Sequence, residues 1–211
     1  YLHYVLDLWF EKCIKKQLYG EAYLVRFADD FLIMFQYERD AQRVYEAIIK
    51  RMELFGLELS KEKTRILPFG RNCGTRETFD FLGFTHFNSK TRKGYYTIGH
   101  KISRKKKKQF KSNLKKWVKE NRNKQFDEFM KKLNKKLTGS FNYYSLSGMI
   151  REVRSLWIHS LYVTFKWLNR RSQRRSFKLE RFYEIWNDRI IHPYIHVDIW
   201  SGDKAIYNKN V

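Results

Sequence analysis

The sequence predicts an α+β segment, in which helices pack on an antiparallel sheet, followed by an all-α bundle of three helices. Short apolar runs typical of strands lie before residue 100, and apolar stripes at helical spacing lie after it. The charge changes at the same point: residues 88–178 hold 27 Lys and Arg against 4 Asp and Glu, whereas the rest holds 17 against 18. We therefore predict domains at 1–99 and 100–180, with a C-terminal tail over 181–211.

The first segment begins with a predicted helix over 2–14, because its apolar residues recur at helical spacing. The stripe of this helix consists of Val5, Leu8, Trp9 and Cys13. Two short runs rich in β-branched and aromatic residues follow at 22–27 and 31–36, and this composition is typical of strands. The adjacent Asp29 and Asp30 form a polar two-residue turn between them, so the pattern predicts a hairpin.

A second helix is predicted after the hairpin, and it ends at Gly56, since glycine is favoured just past a helix end. Its stripe consists of Ala41, Val44, Tyr45, Ile48, Ile49, Met52 and Phe55. The stretch "LELSKEKTRILPF" at 57–69 then predicts a short strand, a charged turn and another strand. "ETFDFLGFTHF" at 77–87 predicts one further strand, and "GYYTIGH" at 94–100 is a candidate partner for it.

Three apolar stripes after Lys101 predict amphipathic helices joined by short links, and hence a three-helix bundle. The first stripe consists of Phe110, Leu114, Trp117 and Val118. The second consists of Phe126, Phe129, Met130, Leu133 and Leu137. The third consists of Ile150, Val153, Leu156, Trp157, Leu161, Phe165 and Leu168. The outward faces of these helices carry nearly all the basic residues of the segment.

The composition narrows the classes of function. A net charge of +23 in one segment (27 − 4), with Tyr and Trp interleaved, favours nucleic acid as a partner over an acidic membrane surface. No apolar run approaches the ~20 residues of a membrane-spanning helix. Cys13 and Cys73 make no metal or redox spacing, which indicates a reducing, cytoplasmic compartment. His192 and His196 have the spacing of a helical metal pair, but Pro193 between them argues against a helix there.

Two interpretations account for the aspartates at the hairpin tip. Aspartate is common in turns, because it tolerates turn geometry and bonds its own backbone. However, the flanking strands are predicted to be apolar on both faces, which would place the turn against protein, where unpaired carboxylates are costly. Mg²⁺ prefers carboxylate oxygen, and two such ions ~3.5–4 Å apart stabilise the attacking and leaving oxygens of phosphoryl transfer. Beside a basic bundle, the second interpretation predicts a nucleotidyl-transfer site.

Phe27-Ala28-Asp29-Asp30 resembles the aromatic-Ala-Asp-Asp motif of reverse transcriptases, in a context that resembles the group II intron reverse transcriptase/maturases. Further along the chain, "GLELSKEKTRI" at 56–66 is similar to the palm segment of this family with its Lys-Thr pair. "FDFLGF" at 79–84 is similar to the primer grip. "KKLNKKLTGSFNYYSLSG" at 131–148 and "FKWLNRRSQRRSF" at 165–177 resemble the maturase thumb. The resemblance covers almost the entire chain.

The resemblance implies the second half of a polymerase palm followed by a thumb, and an RNA-directed DNA polymerase that uses two Mg²⁺ ions. It implies a structured intron RNA as template, a DNA primer and dNTPs as partners. Phe27 replaces the usual Tyr of the motif, and the first catalytic Asp and the fingers are expected before Tyr1, on the same or another chain. The chain would then supply two carboxylates of three. A non-catalytic RNA-binding maturase module and a domesticated, antiviral reverse transcriptase are the alternatives.

The resemblance also implies roles for single residues. Asp29 would bridge the two metals and Asp30 would assist it, unless Asp30 only caps the turn. Primer or triphosphate contacts are expected from Phe27, Ala28, Lys63, Leu82 and Gly83. Nucleic-acid contacts are expected from Arg104, Lys105, Lys106, Lys107, Lys108, Lys111, Lys115, Lys116, Lys135, Lys136, Tyr143, Tyr144, Arg170, Arg171, Arg174 and Arg175. The structural alternatives are a solvated Lys63, a strand kink at the grip, a solubilising basic face and a tyrosine in the core.

Overall fold

The structure, a computed structural model, describes residues 1–60, 62–71, 73–171 and 176–195. Two small antiparallel sheets and a larger set of helices make up this part of the chain, so the α+β prediction is confirmed.

The chain divides into two compact units, each with its own buried residues. The first unit comprises Tyr1–Leu82 and His86–Ile98. The second comprises Gly83–Thr85 and the chain from Gly99 onward. The hairpin tip with its aspartates lies in the first unit, and the basic helices lie in the second.

The first unit begins with a helical stretch that is wound wider than an α-helix. His3–Leu8 and Phe10–Ile14 form π-helix, and Lys15–Gln17 closes the stretch as a 3₁₀ turn. The helix prediction is confirmed, whereas its predicted stripe is only partly correct: Val5 is buried and Trp9 packs against the core, but Leu6 and Phe10 lie in the core as well. The fully buried side chains are those of Val5, Leu6 and Phe10. Cys13, predicted on the stripe, is exposed.

The predicted hairpin is present, with its turn one residue earlier than expected. It consists of β1 (Ala22–Phe27) and β2 (Asp30–Phe35). The antiparallel ladder extends as far as the pair of Phe27 and Asp30, which leaves only two residues, Ala28 and Asp29, for the loop. Asp30 is therefore the first residue of a strand, and the prediction of an Asp29-Asp30 turn is wrong.

One face of this hairpin is exposed, which corrects the expectation that both strands are apolar and buried on both faces. Because side chains of a strand alternate between its two faces, the pairing register places one set outward. This outward set contains Tyr23, Val25, Phe27, Asp30 and Met34. The inward set packs against the core of the first unit and contains Leu24, Phe31, Ile33 and Phe35. The hairpin tip lies in solvent as a result.

Helix α1 (Glu38–Leu54) closes the core of the first unit, as predicted. Its buried apolar residues are Ala41, Val44, Ile48 and Met52. Gly56, at φ +67°, ends the helix: its N–H donates to the Glu53 carbonyl at 3.0 Å, and the next N–H, that of Leu57, donates to the Met52 carbonyl at 2.9 Å. This is the Schellman arrangement, and its left-handed residue is usually glycine.

The charged stretch at 57–69 contains no strand within its described residues, where two were predicted. The predicted charged turn is present, because the N–H groups of Lys63 and Thr64 both donate to the Ser60 carbonyl, at 3.0 and 2.9 Å. Pro68 has no N–H to give to a ladder, and leucines at the start of the stretch pack against the core of the unit instead.

A second sheet follows with strand order β3-β4-β5. Its strands are β3 (Thr78–Phe81), β4 (Phe84–Lys90) and β5 (Tyr96–Ile102). The prediction of one strand across "ETFDFLGFTHF" is wrong, because Leu82 and Gly83 both have positive φ, +51° and +82°, and form the two-residue turn of a hairpin. The segment "GYYTIGH" contributes to β5, so its proposed pairing is confirmed.

Within its described residues, the second unit contains four α-helices. They are α2 (Arg104–Asn121), α3 (Phe126–Tyr144), α4 (Ile150–Leu168) and α5 (Leu179–Arg189). The first three match the predicted helices, and most of the residues in their predicted apolar stripes are buried. The prediction of a three-helix bundle with a tail after 180 missed α5, although Leu179, Phe182, Tyr183 and Trp186 recur at helical spacing. Phe182 and Trp186 are fully buried, so α5 belongs to the core of this unit.

Candidate functional site

The Ala28–Asp29 turn is the most prominent feature of the hairpin. Asp29 and Asp30 are both exposed, and Phe27, which is opposite Asp30, is 65% exposed. Ala28 has φ +54°, in the left-handed region. That conformation costs a residue with a Cβ about 1 kcal/mol or more, so contacts elsewhere must hold the turn in this shape.

Arg26 supplies those contacts from the inward face of β1. Its Nη1 donates to the Ala28 carbonyl at 2.7 Å, while its Nε and Nη2 donate to Oδ1 and Oδ2 of Asp7 at 2.7 and 2.6 Å. The hydrogen bonds from Arg26 hold the pKa of the Asp7 carboxyl below its usual range, despite the opposing effect of burial. His3 adds a contact with Asp7 through Nδ1 at 3.3 Å. The turn is therefore tied to the N-terminal helical stretch.

The two aspartates fit a divalent cation as part of its ligand set. Their carboxylate oxygens are the ligands that Mg²⁺ prefers, and Mg²⁺ commonly completes its shell with water and substrate phosphates. In the ranges that the structure describes, no group of three His, Cys, Asp or Glu side chains is placed to hold a metal ion.

Lys63 lies on the charged turn at Ser60–Thr64, and its side chain is exposed. This turn is fixed by its backbone hydrogen bonds and by the Thr64 hydroxyl, which donates to the Ser60 carbonyl at 2.9 Å. The ammonium group of Lys63 is therefore accessible to an anionic partner.

The Leu82–Gly83 turn is anchored to the first helix of the second unit. The N–H of Ser103 donates to the Gly83 carbonyl at 3.0 Å, and the Ser103 hydroxyl caps α2 by accepting from the N–H of Lys106 at 3.4 Å. A Cβ on Gly83 would lie 3.5 Å from Cγ of Lys106. That distance is an ordinary van der Waals contact, so the positive φ of +82° is what favours glycine at this position.

The two predicted stacking tyrosines have different environments. Tyr143 is 53% exposed and stacks on Phe84, with ring centroids 5.6 Å apart. Tyr144 is only 8% exposed and meets Phe84 edge-on at 5.6 Å. Tyr144 is a core residue, and of the two only Tyr143 is exposed.

Most of the predicted basic contact residues lie on the surface of the second unit. The exposed ones are Arg104, Lys105, Lys106, Lys108, Lys115, Lys116, Lys135, Lys136 and Arg170. Lys111 is half-buried. Lys107 is also half-buried, and its Nζ lies 2.6 Å from a carboxylate oxygen of Glu152. The predicted Arg174 and Arg175 lie outside the described residues.

Arg171 differs from the other arginines of the basic surface. Its Nε and Nη2 are buried and have no hydrogen-bond acceptor among the described residues. Burial lowers the pKa of its guanidinium. Contact between these two nitrogens and a ligand would require local movement, so Arg171 contributes mainly long-range charge in this conformation.

Several site residues escaped the sequence analysis. Arg26 and Asp7 are 19 positions apart, and nothing in their spacing signals a pair. Ser103 could have been found, since serine directly before a helical stripe is a common N-cap. Lys119 and Arg122 were also missed: with Arg170 they place three cationic groups 5.3–5.8 Å from the centre of the Trp167 ring.

Within the described parts of the chain, the longest helices carry too many charged residues and too little apolar sequence to cross a bilayer.

Two family models match this chain, one for each part of its architecture. Residues 1–86 match the reverse transcriptase (RNA-dependent DNA polymerase) family, a range that holds the hairpin, both aspartates and the Leu82–Gly83 turn. Residues 107–184 match the group II intron, maturase-specific domain, a range that holds most of the basic bundle. A comparison with curated proteins gave no match. With a reverse transcriptase segment followed by a maturase-specific segment, this chain belongs to the group II intron reverse transcriptase/maturase family.

Proposed function

We propose that this chain provides the palm and thumb of an RNA-directed DNA polymerase of the group II intron type. Nucleotidyl transfer takes place at the hairpin turn of the first unit, and the second unit binds intron RNA. The observation that carries this proposal is the pair of exposed carboxylates at the tip of a tight, anchored hairpin. We keep 1–99, 100–180 and 181–211 as the proposed functional division, with α5 crossing the last boundary.

Asp29 and Asp30 are the proposed metal ligands. A bound pair of Mg²⁺ ions stabilises charge on the attacking and leaving oxygens of phosphoryl transfer. The chain itself orients the ligands: the turn presents Asp29, and the first position of β2 presents Asp30 on the outward face beside Phe27. The exposed Phe27 ring offers an apolar surface to the primer end, and the Ala28 backbone lies beside it.

Other residues are proposed to hold the nucleic acid and the incoming nucleotide. The ammonium group of Lys63 contacts the triphosphate, which its exposure allows. The Leu82–Gly83 turn contacts the primer backbone, since a glycine in a tight turn permits close approach. Tyr143 stacks on a base or ribose with the exposed part of its ring.

Phosphate contacts account for RNA affinity. Each lysine or arginine that neutralises a phosphate releases condensed counterions, so affinity falls as salt rises. The exposed basic residues of α2 and α3 are the proposed phosphate contacts. Cys13 and Cys73 are free thiols, which is consistent with the proposed reducing, cytoplasmic location. The partners are then a structured intron RNA, a DNA primer and dNTPs.

A non-catalytic RNA-binding module is the second candidate. The observation that favours it is that the basic faces belong to the second unit, whereas both aspartates belong to the first. RNA binding by the bundle therefore needs no contribution from the hairpin.

Primer extension separates the two candidates. The full-length natural protein should extend a DNA primer on an RNA template. Asp29→Asn should reduce the single-turnover rate by at least about 10- to 100-fold, because replacing even an outer-shell partner of a metal site costs that much and Asp29 is a proposed ligand. Asp30→Asn should have a smaller effect if Asp30 acts through water. Glu46→Gln, at an exposed acid on α1, is the matched control and should retain the rate. Undiminished extension by Asp29→Asn would overturn the proposed site.

A further inference from the structure

The contact between Arg26 and Asp7 uses one whole edge of the guanidinium. Nε and Nη2 lie 2.7 and 2.6 Å from the two carboxylate oxygens, which is the bidentate arrangement of an arginine–carboxylate pair. Both side chains are half-buried, at 22% and 24% exposure. Arg26 is therefore held in a single orientation by a residue 19 positions earlier in the chain.

The remaining donor of Arg26 reaches the turn. Nη1 donates to the Ala28 carbonyl at 2.7 Å. This carbonyl belongs to the same planar peptide unit as the Asp29 nitrogen, because a peptide bond joins them. Fixing the Ala28 carbonyl therefore fixes the plane of the Ala28–Asp29 peptide, which includes the Cα atom that bears the Asp29 side chain. The same hydrogen bond opposes relaxation of Ala28 from its left-handed φ of +54°.

We propose that Arg26 is a positioning residue for Asp29, and that Asp7 is its anchor. The inference rests on the proposed function, since it assigns the clamp to the nucleotidyl-transfer site. Asp7 fixes the guanidinium, the guanidinium fixes the Ala28–Asp29 peptide, and this peptide sets the direction of the Asp29 carboxylate. A misplacement of about 1 Å at a reacting centre can cost about 100-fold in rate.

Lysine at position 26 cannot reproduce this arrangement. Its single ammonium group can keep the positive charge beside Asp7, but it lacks a planar fork that bonds a carboxylate and a carbonyl at once. A role limited to the ion pair would tolerate the replacement, whereas a positioning role would not. The Arg26→Lys variant therefore distinguishes the two roles.

The experiment uses the full-length natural protein with Arg26→Lys and Asp7→Asn, and with Glu11→Gln as the matched control. Glu11 forms an ion pair with Lys15 at 3.0 Å in the same helical stretch, away from the turn. We expect Arg26→Lys to lower kcat about 10- to 100-fold, with KM for the nucleotide and Kd for RNA each changed by less than about 3-fold. Hydrogen exchange of the peptide that covers Ala28–Asp29 should become faster in Arg26→Lys and in Asp7→Asn, but not in Glu11→Gln.

A double variant that exchanges the two residues, Asp7→Arg with Arg26→Asp, tests whether the ion pair alone is sufficient. It can restore the ion pair but removes the donor to the Ala28 carbonyl, so we expect it to remain slow. Recovery of the wild-type rate by this variant, or a wild-type rate in Arg26→Lys, would overturn the positioning role. If the wild-type protein itself extends no primer, the proposed function fails; unchanged exchange at the turn in Arg26→Lys would then reject the clamp independently.

Discussion

The backbone N–H of Ser103 donates to the Gly83 carbonyl at 3.0 Å, and this bond joins the Leu82–Gly83 turn to the start of α2. Ser103 is 3% exposed and is also the N-cap of that helix. Ser103 thus follows the last residue of β5, caps α2 and holds the Gly83 carbonyl of the proposed primer grip. The Ser103 backbone makes the contact with Gly83, and its hydroxyl makes the cap.

Removing the Ser103 hydroxyl should destabilise the protein without breaking the bond to Gly83. We expect Ser103→Ala to lower the free energy of unfolding by about 1 kcal/mol, as loss of a serine N-cap usually does. Ser112→Ala is the matched control: Ser112 is exposed within α2, where alanine is the better helix former, so stability should hold or rise slightly. Urea denaturation of both variants measures the difference, and equal midpoints would contradict the capping role.

Helix α5 should be required for stability of the second unit. Trp186 is fully buried, and we expect Trp186→Ala to cost about 3–5 kcal/mol. Its Nε1 is buried with no acceptor among the described residues, so Trp186→Phe removes an unsatisfied donor and should cost far less. Tyr183→Ala, at a side chain that is 48% exposed, is the control and should cost about 1 kcal/mol or less. A small loss in Trp186→Ala would show that α5 does not belong to the core.

The second unit should lose stability as the pH falls below neutrality. Burial, assisted by the charge of Lys111, lowers the pKa of His159 from its ordinary value of 6.5. The unfolded chain then takes up a proton near pH 6.5 and the folded chain only at lower pH. Stability is therefore complete above pH 6.5 and declines as the pH falls from there through the folded pKa. His159→Gln should flatten this decline in urea midpoints between pH 7.5 and 5.5. An unchanged slope in that variant would exclude His159 as the source.

The 211 residues alone should extend no primer, even with Mg²⁺ or Mn²⁺ in excess. Asp29 and Asp30 are neighbours at one hairpin tip, and no group of three candidate ligands is found in the described part of the chain. Mg²⁺ gives up its water reluctantly, so two adjacent carboxylates hold it weakly. A reverse transcriptase fragment that carries a further aspartate should restore synthesis when fused or added in trans. Template-dependent synthesis by the isolated chain would refute this prediction.

Local sequence patterns correctly predicted most of the strands and helices of the fold. Strand-like runs located β1 and β2, and helical stripes located α1 to α4, because burial of one face dominates each of these elements. Features that depend on contacts across the chain were missed. The ladder pairing of Phe27 with Asp30 moved the turn by one residue, and the core of the N-terminal helical stretch contains Leu6 and Phe10, which the predicted stripe left out.

The same distinction applies to the candidate site: its contiguous motif could be predicted from the sequence, but the contacts that support the motif could not. The motif around Asp29 and Asp30 is contiguous, so the sequence alone located it. Its support is not contiguous: Asp7 and Arg26 meet only through folding, and Ser103 meets Gly83 across a sheet. The exposure of the turn was also missed, because a strand rich in apolar residues does not reveal that one of its faces lies in solvent.

The central claim is that chemistry lies in the first unit and RNA affinity in the second. Its most direct test measures single-turnover extension rate and RNA affinity side by side, over a range of salt, in the full-length protein. We predict that Asp29→Asn loses the rate and keeps the affinity within about 2-fold. Neutralising Lys105, Lys108 and Lys115 together should weaken binding and lower the salt slope by about 1 for each phosphate that is no longer neutralised. The matched set Lys12, Lys16 and Lys50, which are exposed on the first unit, should leave that slope unchanged when neutralised. Equal loss of affinity in Asp29→Asn and in the α2 lysine variant would contradict the claim.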